Sequence, residues 1–110
     1  MDNKNIIEQI NKLTQKTKDK KIDWQIINPN LCRWVRKSSG ETFLAVLQKI
    51  GSGNNYVLTI QSIGPSETLL NANSTFNPDI RLSLGNLYDA VMQAVSETHL
   101  EKLDKFIDTI

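Results

Sequence analysis

The sequence predicts an α+β fold: an N-terminal helix, an antiparallel four- to five-stranded meander sheet and two C-terminal helices. Three observations support this prediction. Apolar residues recur at helical spacing at both ends of the chain. Between these ends, short apolar and β-branched runs are separated by Asn, Gly, Pro and Ser, which is typical of successive hairpins. The 110 residues fit a single α+β domain, 1–110.

The first helix is predicted over residues 4–18, with Asp2 or Asn3 as its N-cap. Its apolar positions are Ile6, Ile7, Ile10 and Leu13. The period then changes, because Ile22, Trp24 and Ile26 alternate with polar residues, which predicts a half-buried strand. The lysines just before Trp24 are therefore interpreted as helix-end and turn residues, with the tryptophan facing the core.

Four more strands follow from the turn signals. They are predicted over 31–37, 42–50, 56–63 and, as a short fifth strand, 68–70. Turns are predicted at 28–30, 38–41, 51–55 and 64–66. Gly51-Ser52-Gly53 precedes a strand rather than a helix, so it predicts a hairpin turn and not a phosphate cradle.

The strand over 42–50 is apolar on both faces. One face carries Phe43, Ala45 and Leu47, and the other carries Leu44, Val46 and Ile50. An antiparallel sheet that is covered on one side only would alternate cleanly with polar residues. We therefore expect a cover over the second face, either the chain's own C-terminal segment or a second subunit.

The C-terminal part is predicted to be two helices after an exposed connection over 71–79. Ser83 is the expected N-cap of the first. Its apolar stripe is Leu84, Leu87, Tyr88, Val91 and Val95, and the out-of-phase second stripe is Leu100, Leu103, Phe106, Ile107 and Ile110. Thr98 and Glu101 form a capping box where the phase changes, which predicts a new helix there.

The two ends of the chain carry a family resemblance. The stretch LTQKTKDKKIDW over 13–24 matches a Leu-Thr-x-Lys-Thr…Ile-x-Trp junction, and Leu87-Tyr88 lies in the first C-terminal helix. In both features the chain resembles small bacterial and phage-associated α+β proteins whose shared function is not known. Such proteins often carry basic residues after the Leu-Tyr pair, where this chain has Met92-Gln93-Ala94. The resemblance implies the fold and is compatible with an immunity-like, anti-defence or accessory role.

Composition excludes several chemistries. Cys32 is the single cysteine, so no internal disulfide forms, and no stretch resembles a signal peptide, which predicts a cytoplasmic location in a bacterial cell or a phage-infected host. The longest apolar run, 43–47, is too short for a membrane span. One Cys and one His are too few for structural zinc, so neither a metal nor a cofactor is expected. The lone strand cysteine is expected to be a small buried hydrophobe, and no carboxylate pair lies in apolar surroundings, which predicts that the protein is not an enzyme.

Charge is unevenly distributed, although the net charge is only +1. The part up to Lys49 carries +5 and the part from Gly51 onward carries −4. The candidate binding residues are Arg33, Trp34, Arg36 and Lys37. Strand alternation places Trp34 with Arg36 on one face and Arg33 with Lys37 on the other. This division, with the near-neutral total, argues against nucleic-acid binding.

The predicted function is that of a non-enzymatic, cytosolic binding or regulatory protein acting through protein–protein contact. The partner is another protein or a second copy, with a homodimer as the simplest case. Two alternatives stay open. One is sequestration of a small anionic ligand, such as a nucleotide signal, by Arg33, Arg36 or Lys37. The other is weak binding of single-stranded nucleic acid.

Overall fold

The computed structural model describes residues 2–51, 53–64 and 66–110. Helix α1 (Asn3–Lys18) precedes five strands, and a short 3-10 turn (Pro78–Ile80) leads into helix α2 (Arg81–Asp108). The strands are β1 (Gln25–Asn28), β2 (Leu31–Ser38), β3 (Glu41–Ile50), β4 (Asn55–Ile63) and β5 (Glu67–Asn73). All neighbouring strands are antiparallel in the order β1-β2-β3-β4-β5, which confirms the predicted meander. The turns predicted over 51–55 and 64–66 include Ser52 and Pro65, which lie outside the described residues.

Helix α1 begins as predicted. The Asp2 carboxylate accepts a hydrogen bond from the Asn5 backbone N–H at 2.9 Å, which satisfies one of the free donors of the first turn. Ile10 is fully buried and belongs to the core cluster. Toward the end of α1, the hydroxyls of Thr14 and Thr17 are buried and donate to backbone carbonyls one turn earlier. Small hydroxyl residues can therefore lie in the core without an unpaired polar atom.

Trp24 faces the core, as predicted, but the strand containing it is shorter than expected. Ile22 and Trp24 are buried in the connection after α1, whereas β1 begins only at Gln25, and Ile26 is exposed at the sheet edge. The indole Nε1 of Trp24 donates to Thr17 Oγ1 at 3.0 Å. This bond holds the connection against the end of α1. The pairing between β1 and β2 therefore begins only at Gln25.

The inner face of the sheet forms the core. A cross-strand row made of Cys32, Leu47, Leu58 and Ala72 is at most 1% exposed. From α2, Leu84, Leu87 and Val91 pack into the same cluster, and Ile10 does so from α1. Both helices therefore lie on one face of the sheet, giving a two-layer arrangement.

The prediction of two C-terminal helices is wrong, because α2 is one continuous helix of 28 residues. Thr98 caps no new helix. Its hydroxyl donates to the carbonyl of Ala94 at 3.0 Å, the bond of a residue inside a helix. Ser83 is not the N-cap either, since the helix begins at Arg81 and Ser83 is buried within its first turn. The apolar stripe moves to another side of α2 after Val95, where the helix stops packing against the core cluster. The helix itself does not break there.

The prediction of an exposed connection over 71–79 is wrong for its first part. Strand β5 continues to Asn73. Ser74 is fully buried; its hydroxyl oxygen accepts from the Tyr56 N–H at 2.8 Å and lies 3.2 Å from Asn55 Oδ1. Polar composition concealed this strand end, because the polar groups of Ser74 are satisfied inside the fold.

Candidate interaction surfaces

The outer face of the sheet is the first candidate surface, and we call it the open face. Register places side chains from all five strands on it, in cross-strand rows such as Arg33–Val46–Thr59–Asn71 and Val35–Leu44–Gln61. Its apolar members are Leu31, Val35, Leu44, Val46, Ile50, Val57 and Ile63. Both helices contribute their buried residues to the opposite face, so neither covers the open face. The expected cover over the second face of β3 is thus not the chain's own C-terminal helix.

Exposure at the rim of the open face is substantial. Val35 is 48% exposed and Ile63 is 47% exposed, although both lie in regular strands. Leu44 and Val46 at the centre are half-buried by their strand neighbours. Isolated surface apolar residues need no explanation, but a contiguous group on one flat face is typical of an interaction surface.

Charge on the open face is of one sign. Within strands β1 to β5, all of which are described in full, its charged residues are Arg33 and Lys37, and none is a carboxylate. The Arg33 Nε donates to Gln25 Oε1 at 3.3 Å on the neighbouring strand, which steadies the guanidinium above the sheet. Other polar members, such as Gln48 and Thr59, are neutral. The open face is therefore apolar with a weak positive charge.

The four predicted binding residues are divided between the two faces, as strand alternation predicts. Arg33 and Lys37 lie on the open face. Trp34 lies on the inner face, where its ring centroid is 6.2 Å from that of Trp24, and it packs against the core. Arg36 also belongs to the inner side but is exposed near the end of β2. Among the residues that the structure describes, no aromatic platform therefore lies beside the Arg33 and Lys37 cations.

The second candidate surface is the C-terminal part of α2 together with the two residues that follow it, residues 96–110, and we call it the arm. Val95 is the last residue of α2 that packs against the core cluster. Beyond it the apolar side chains are exposed: Leu100 by 58%, Leu103 by 51%, Phe106 by 63% and Ile107 by 53%. The sequence predicts this stripe but places it on a separate helix, whereas it lies on the continuous α2.

Lys20, just after the end of α1, forms ion pairs with the first residues of the arm. Its Nζ lies 3.3 Å from Glu97 Oε2 and 3.4 Å from Glu101 Oε1. The hydrogen bonds to Glu97 and then to Glu101 raise the pKa of the Lys20 ammonium, because they favour its charged form. The direction of the arm relative to the sheet is therefore set by α1 and by the continuous helix.

A groove of about 560 Å³ beside the start of α2 collects two cations that sequence analysis did not connect. Lys49 comes from β3 and Arg81 from α2, and Asp89 lies in the same lining. The Lys49 Nζ is 5.4 Å from the centre of the Tyr88 ring, a cation–π geometry. The two cations are far apart in sequence, so no local pattern marks them. Of the described surfaces, this groove fits a small anion better than the divided Arg33, Arg36 and Lys37 do.

The two chemically reactive side chains, Cys32 and His99, lie in different environments. Cys32 is buried in the inner row of the sheet, and desolvation raises the pKa of its thiol, which disfavours the nucleophilic thiolate. His99 is exposed on the arm. In residues 2–51, 53–64 and 66–110, no group of three or more His, Cys, Asp or Glu side chains is placed to hold a metal ion. Over the same residues, neither helix combines the length and the apolar character that crossing a membrane requires.

Comparison with known proteins returns no relative. No protein-family model matches the chain, and neither the curated proteins nor the solved structures give a match. The fold and surfaces define a two-layer α+β protein with one uncovered sheet face and a projecting helical arm. The resemblance of the chain ends to small phage-associated proteins stays a prediction.

Proposed function

We propose that this protein is a non-enzymatic binding protein that acts by protein–protein contact through the open face. The observation that carries the proposal is the apolar group around Val46 and Leu44 on a sheet face that neither helix covers. Burying apolar area at about 25 cal/mol per Å² is the main favourable term in protein association. A partner that covers this face gains that term.

Shape and charge favour a protein over the other ligand classes. Small-molecule sites are usually concave and enclose most of the ligand, whereas the open face is the outer surface of a sheet. Single-stranded nucleic acid requires a basic groove with aromatic stacking, yet the open face offers only Arg33 and Lys37, and Trp34 belongs to the other side. A protein surface that is apolar with a few acidic residues matches it best.

A regulatory role would follow from the same contact. A small cytosolic protein without its own catalysis acts by occupying a surface of its partner, and the phage-associated resemblance is compatible with this role. Immunity-like, anti-defence and accessory functions all fit this description.

Substituting Val46 with Lys tests the proposal, because it places a charge at the centre of the open face. Asn11→Lys, which adds the same side chain on the exposed side of α1, is the matched control. We expect sedimentation analysis and quantitative affinity capture to show protein binding by the wild type and by Asn11→Lys, with a loss of tenfold or more in Val46→Lys. Thermal unfolding establishes that both variants fold. Protein binding that is equal in all three chains would overturn the proposal.

The anionic-ligand alternative has its own readout. A nucleotide that binds only the native state raises the melting temperature by mass action. A rise for the wild type that is absent in a Lys49→Ala, Arg81→Ala double variant would replace protein binding by sequestration as the function.

A further inference from the structure

The arm and the open face complement each other, and both belong to this chain. We propose that the arm of one copy lies across the open face of a second copy, whose own arm lies across the open face of the first. The partner is then a second copy of the chain in a reciprocal dimer. This inference rests on the proposed function and names the partner for it.

The apolar side chains of the arm have the spacing of a helix that packs on a flat surface. Leu100, Leu103 and Ile107 are three and four residues apart and so lie on one side of the helix. Twelve residues separate Val91 from Leu103, which at about 3.6 residues per turn rotates the stripe by roughly a third of a turn from the side that packs on the core. The arm therefore presents its apolar side away from its own sheet, and it needs another surface to bury it.

Charges beside the stripe match the open face. The arm carries four acids, Glu97, Glu101, Asp104 and Asp108, against two lysines, Lys102 and Lys105. Asp104 lies four residues after Leu100 and three before Ile107, directly beside the stripe, whereas Lys105 lies on the opposite side of the helix. A helix lying with its stripe on the sheet thus brings Asp104 near the surface that carries Arg33 and Lys37.

Two other ways of pairing the copies bring like charges together. Two arms side by side would join two surfaces that each have an excess of acids, and two open faces would join two surfaces that each carry Arg33 and Lys37. Like charges across an interface are unfavourable, whereas arm on open face joins opposite charges. The arm cannot fold onto its own open face. Residues such as Val91 fix α2 to the inner face of the sheet, and Lys20 pairs with Glu97 at the start of the arm.

The arm is short enough to lie across the open face of a second copy. The arm up to Asp108 is about 18 Å long at 1.5 Å per residue. The central strand β3 has 10 residues, or about 33 Å of sheet at 3.3 Å per residue. The reciprocal arrangement buries both surfaces of both copies and leaves neither exposed, which favours a closed dimer over a chain of copies held by single junctions.

A charge exchange between two full-length variants tests the arrangement. The first variant carries Arg33→Glu and Lys37→Glu, and the second carries Asp104→Lys and Asp108→Lys. All four residues are exposed, so the fold is not expected to change, and thermal unfolding of each variant verifies this. In a reciprocal dimer each variant alone pairs like charges at both junctions, whereas a mixed dimer pairs opposite charges at both. We expect sedimentation equilibrium at low salt to give a dimer for the wild type, dissociation constants raised about tenfold or more for each variant, and a dimer again for the equimolar mixture.

The other outcomes of the charge exchange each overturn part or all of the proposal. Dimers of the first variant as tight as the wild type would indicate arm–arm pairing, tight dimers of the second would indicate pairing of open faces, and either result overturns the proposal. A wild-type species larger than a dimer overturns the reciprocal closure. A monomeric wild type that still binds a different protein, with binding lost in Val46→Lys, overturns the second copy as partner and leaves the proposed function intact. A monomer that binds no protein through the open face overturns both.

Hydrophobic contact has a separate test. Leu103→Asp places a carboxylate in the stripe, and Lys105→Asp places the same group on the opposite side of the arm as the control. We expect Leu103→Asp to weaken the dimer by at least about tenfold and Lys105→Asp to leave it within a few-fold of the wild type. Equal dissociation constants for the two variants would show that the stripe is not in the interface.

Discussion

The indole Nε1 of Trp24 donates a hydrogen bond to Thr17 Oγ1 at 3.0 Å, and that hydroxyl donates onward to the Leu13 carbonyl at 2.8 Å. Thr17 is fully buried and Trp24 is 6% exposed. The lysine-rich run between them therefore crosses the surface while its two ends are fixed in the core. Trp24 packs in the core and offers no open aromatic surface to a nucleic acid.

Removing the Thr17 hydroxyl should leave the Trp24 N–H without a partner. A buried polar group that loses its hydrogen bond costs about 1–3 kcal/mol, so we expect Thr17→Val to lower the free energy of unfolding by this amount. Thr14→Val is the control, because the Thr14 hydroxyl bonds only to the Ile10 carbonyl. Urea unfolding followed by tryptophan fluorescence measures both. Equal losses for the two variants would show that the indole bond contributes nothing of its own.

The hairpin between β2 and β3 predicts a stabilising substitution. Ser38 pairs with Glu41, and the two loop residues, Ser39 and Gly40, have φ of 50° and 81°. Such a two-residue turn with both φ positive favours Asn-Gly. We expect Ser39→Asn to raise the free energy of unfolding by about 0.5 kcal/mol and Gly40→Ala to lower it by about 1 kcal/mol, since alanine is strained at positive φ. Thermal unfolding of both variants checks the turn; a stabilising Gly40→Ala would contradict it.

The two ends of α2 should differ in their contribution to stability. Leu84 is fully buried and Leu103 is half exposed. We expect Leu84→Ala to cost about 2–5 kcal/mol of unfolding free energy and Leu103→Ala to change it by less than about 0.5 kcal/mol. The measurement is chemical unfolding at a protein concentration low enough for the chain to be monomeric. A large loss in monomeric Leu103→Ala would mean that the arm packs within its own chain.

Much of the fold could be predicted because local signals agreed with the tertiary arrangement. Turn residues separated the strands, and alternation correctly divided Trp34 from Arg33. The continuity of the C-terminal helix could not be predicted, since the Thr98 and Glu101 spacing is that of a capping box whether or not the helix continues. In the structure the Thr98 hydroxyl instead donates to the Ala94 carbonyl one turn earlier, within the same helix.

The candidate surfaces were predicted less completely. The pattern of β3 predicted a cover over both of its faces, but which face the helices take depends on packing between distant segments. Lys49 and Arg81 meet in one groove only after the sheet and α2 have docked. Burial of Ser74 likewise depends on Tyr56, which lies in another strand.

The contact of Lys20 with the arm predicts a dependence on pH. Glu97 and Glu101 raise the pKa of Lys20 in the folded state above its ordinary value of 10.5. The stabilisation is therefore fully present below pH 10.5 and is lost as the pH rises through the higher folded-state value. We expect Lys20→Gln to be less stable than wild type at neutral pH and low salt, with the difference shrinking at alkaline pH and at high salt. Lys21→Gln, an exposed neighbour, is the control, and a salt-independent difference would contradict the ion pair.

Continuity of α2 at Thr98 can be tested by one substitution whose sign differs between the two descriptions. If Thr98 capped a new helix, Thr98→Ala would lose the cap and cost about 1 kcal/mol. In the continuous helix Thr98 is an exposed interior position, where alanine is favoured over threonine by roughly 0.5 kcal/mol. We therefore expect Thr98→Ala to leave stability unchanged or raise it slightly, and to preserve the helical signal in circular dichroism. Ser96→Ala, two residues earlier on the exposed helix surface, should behave in the same way, and a loss confined to Thr98→Ala would restore the two-helix description.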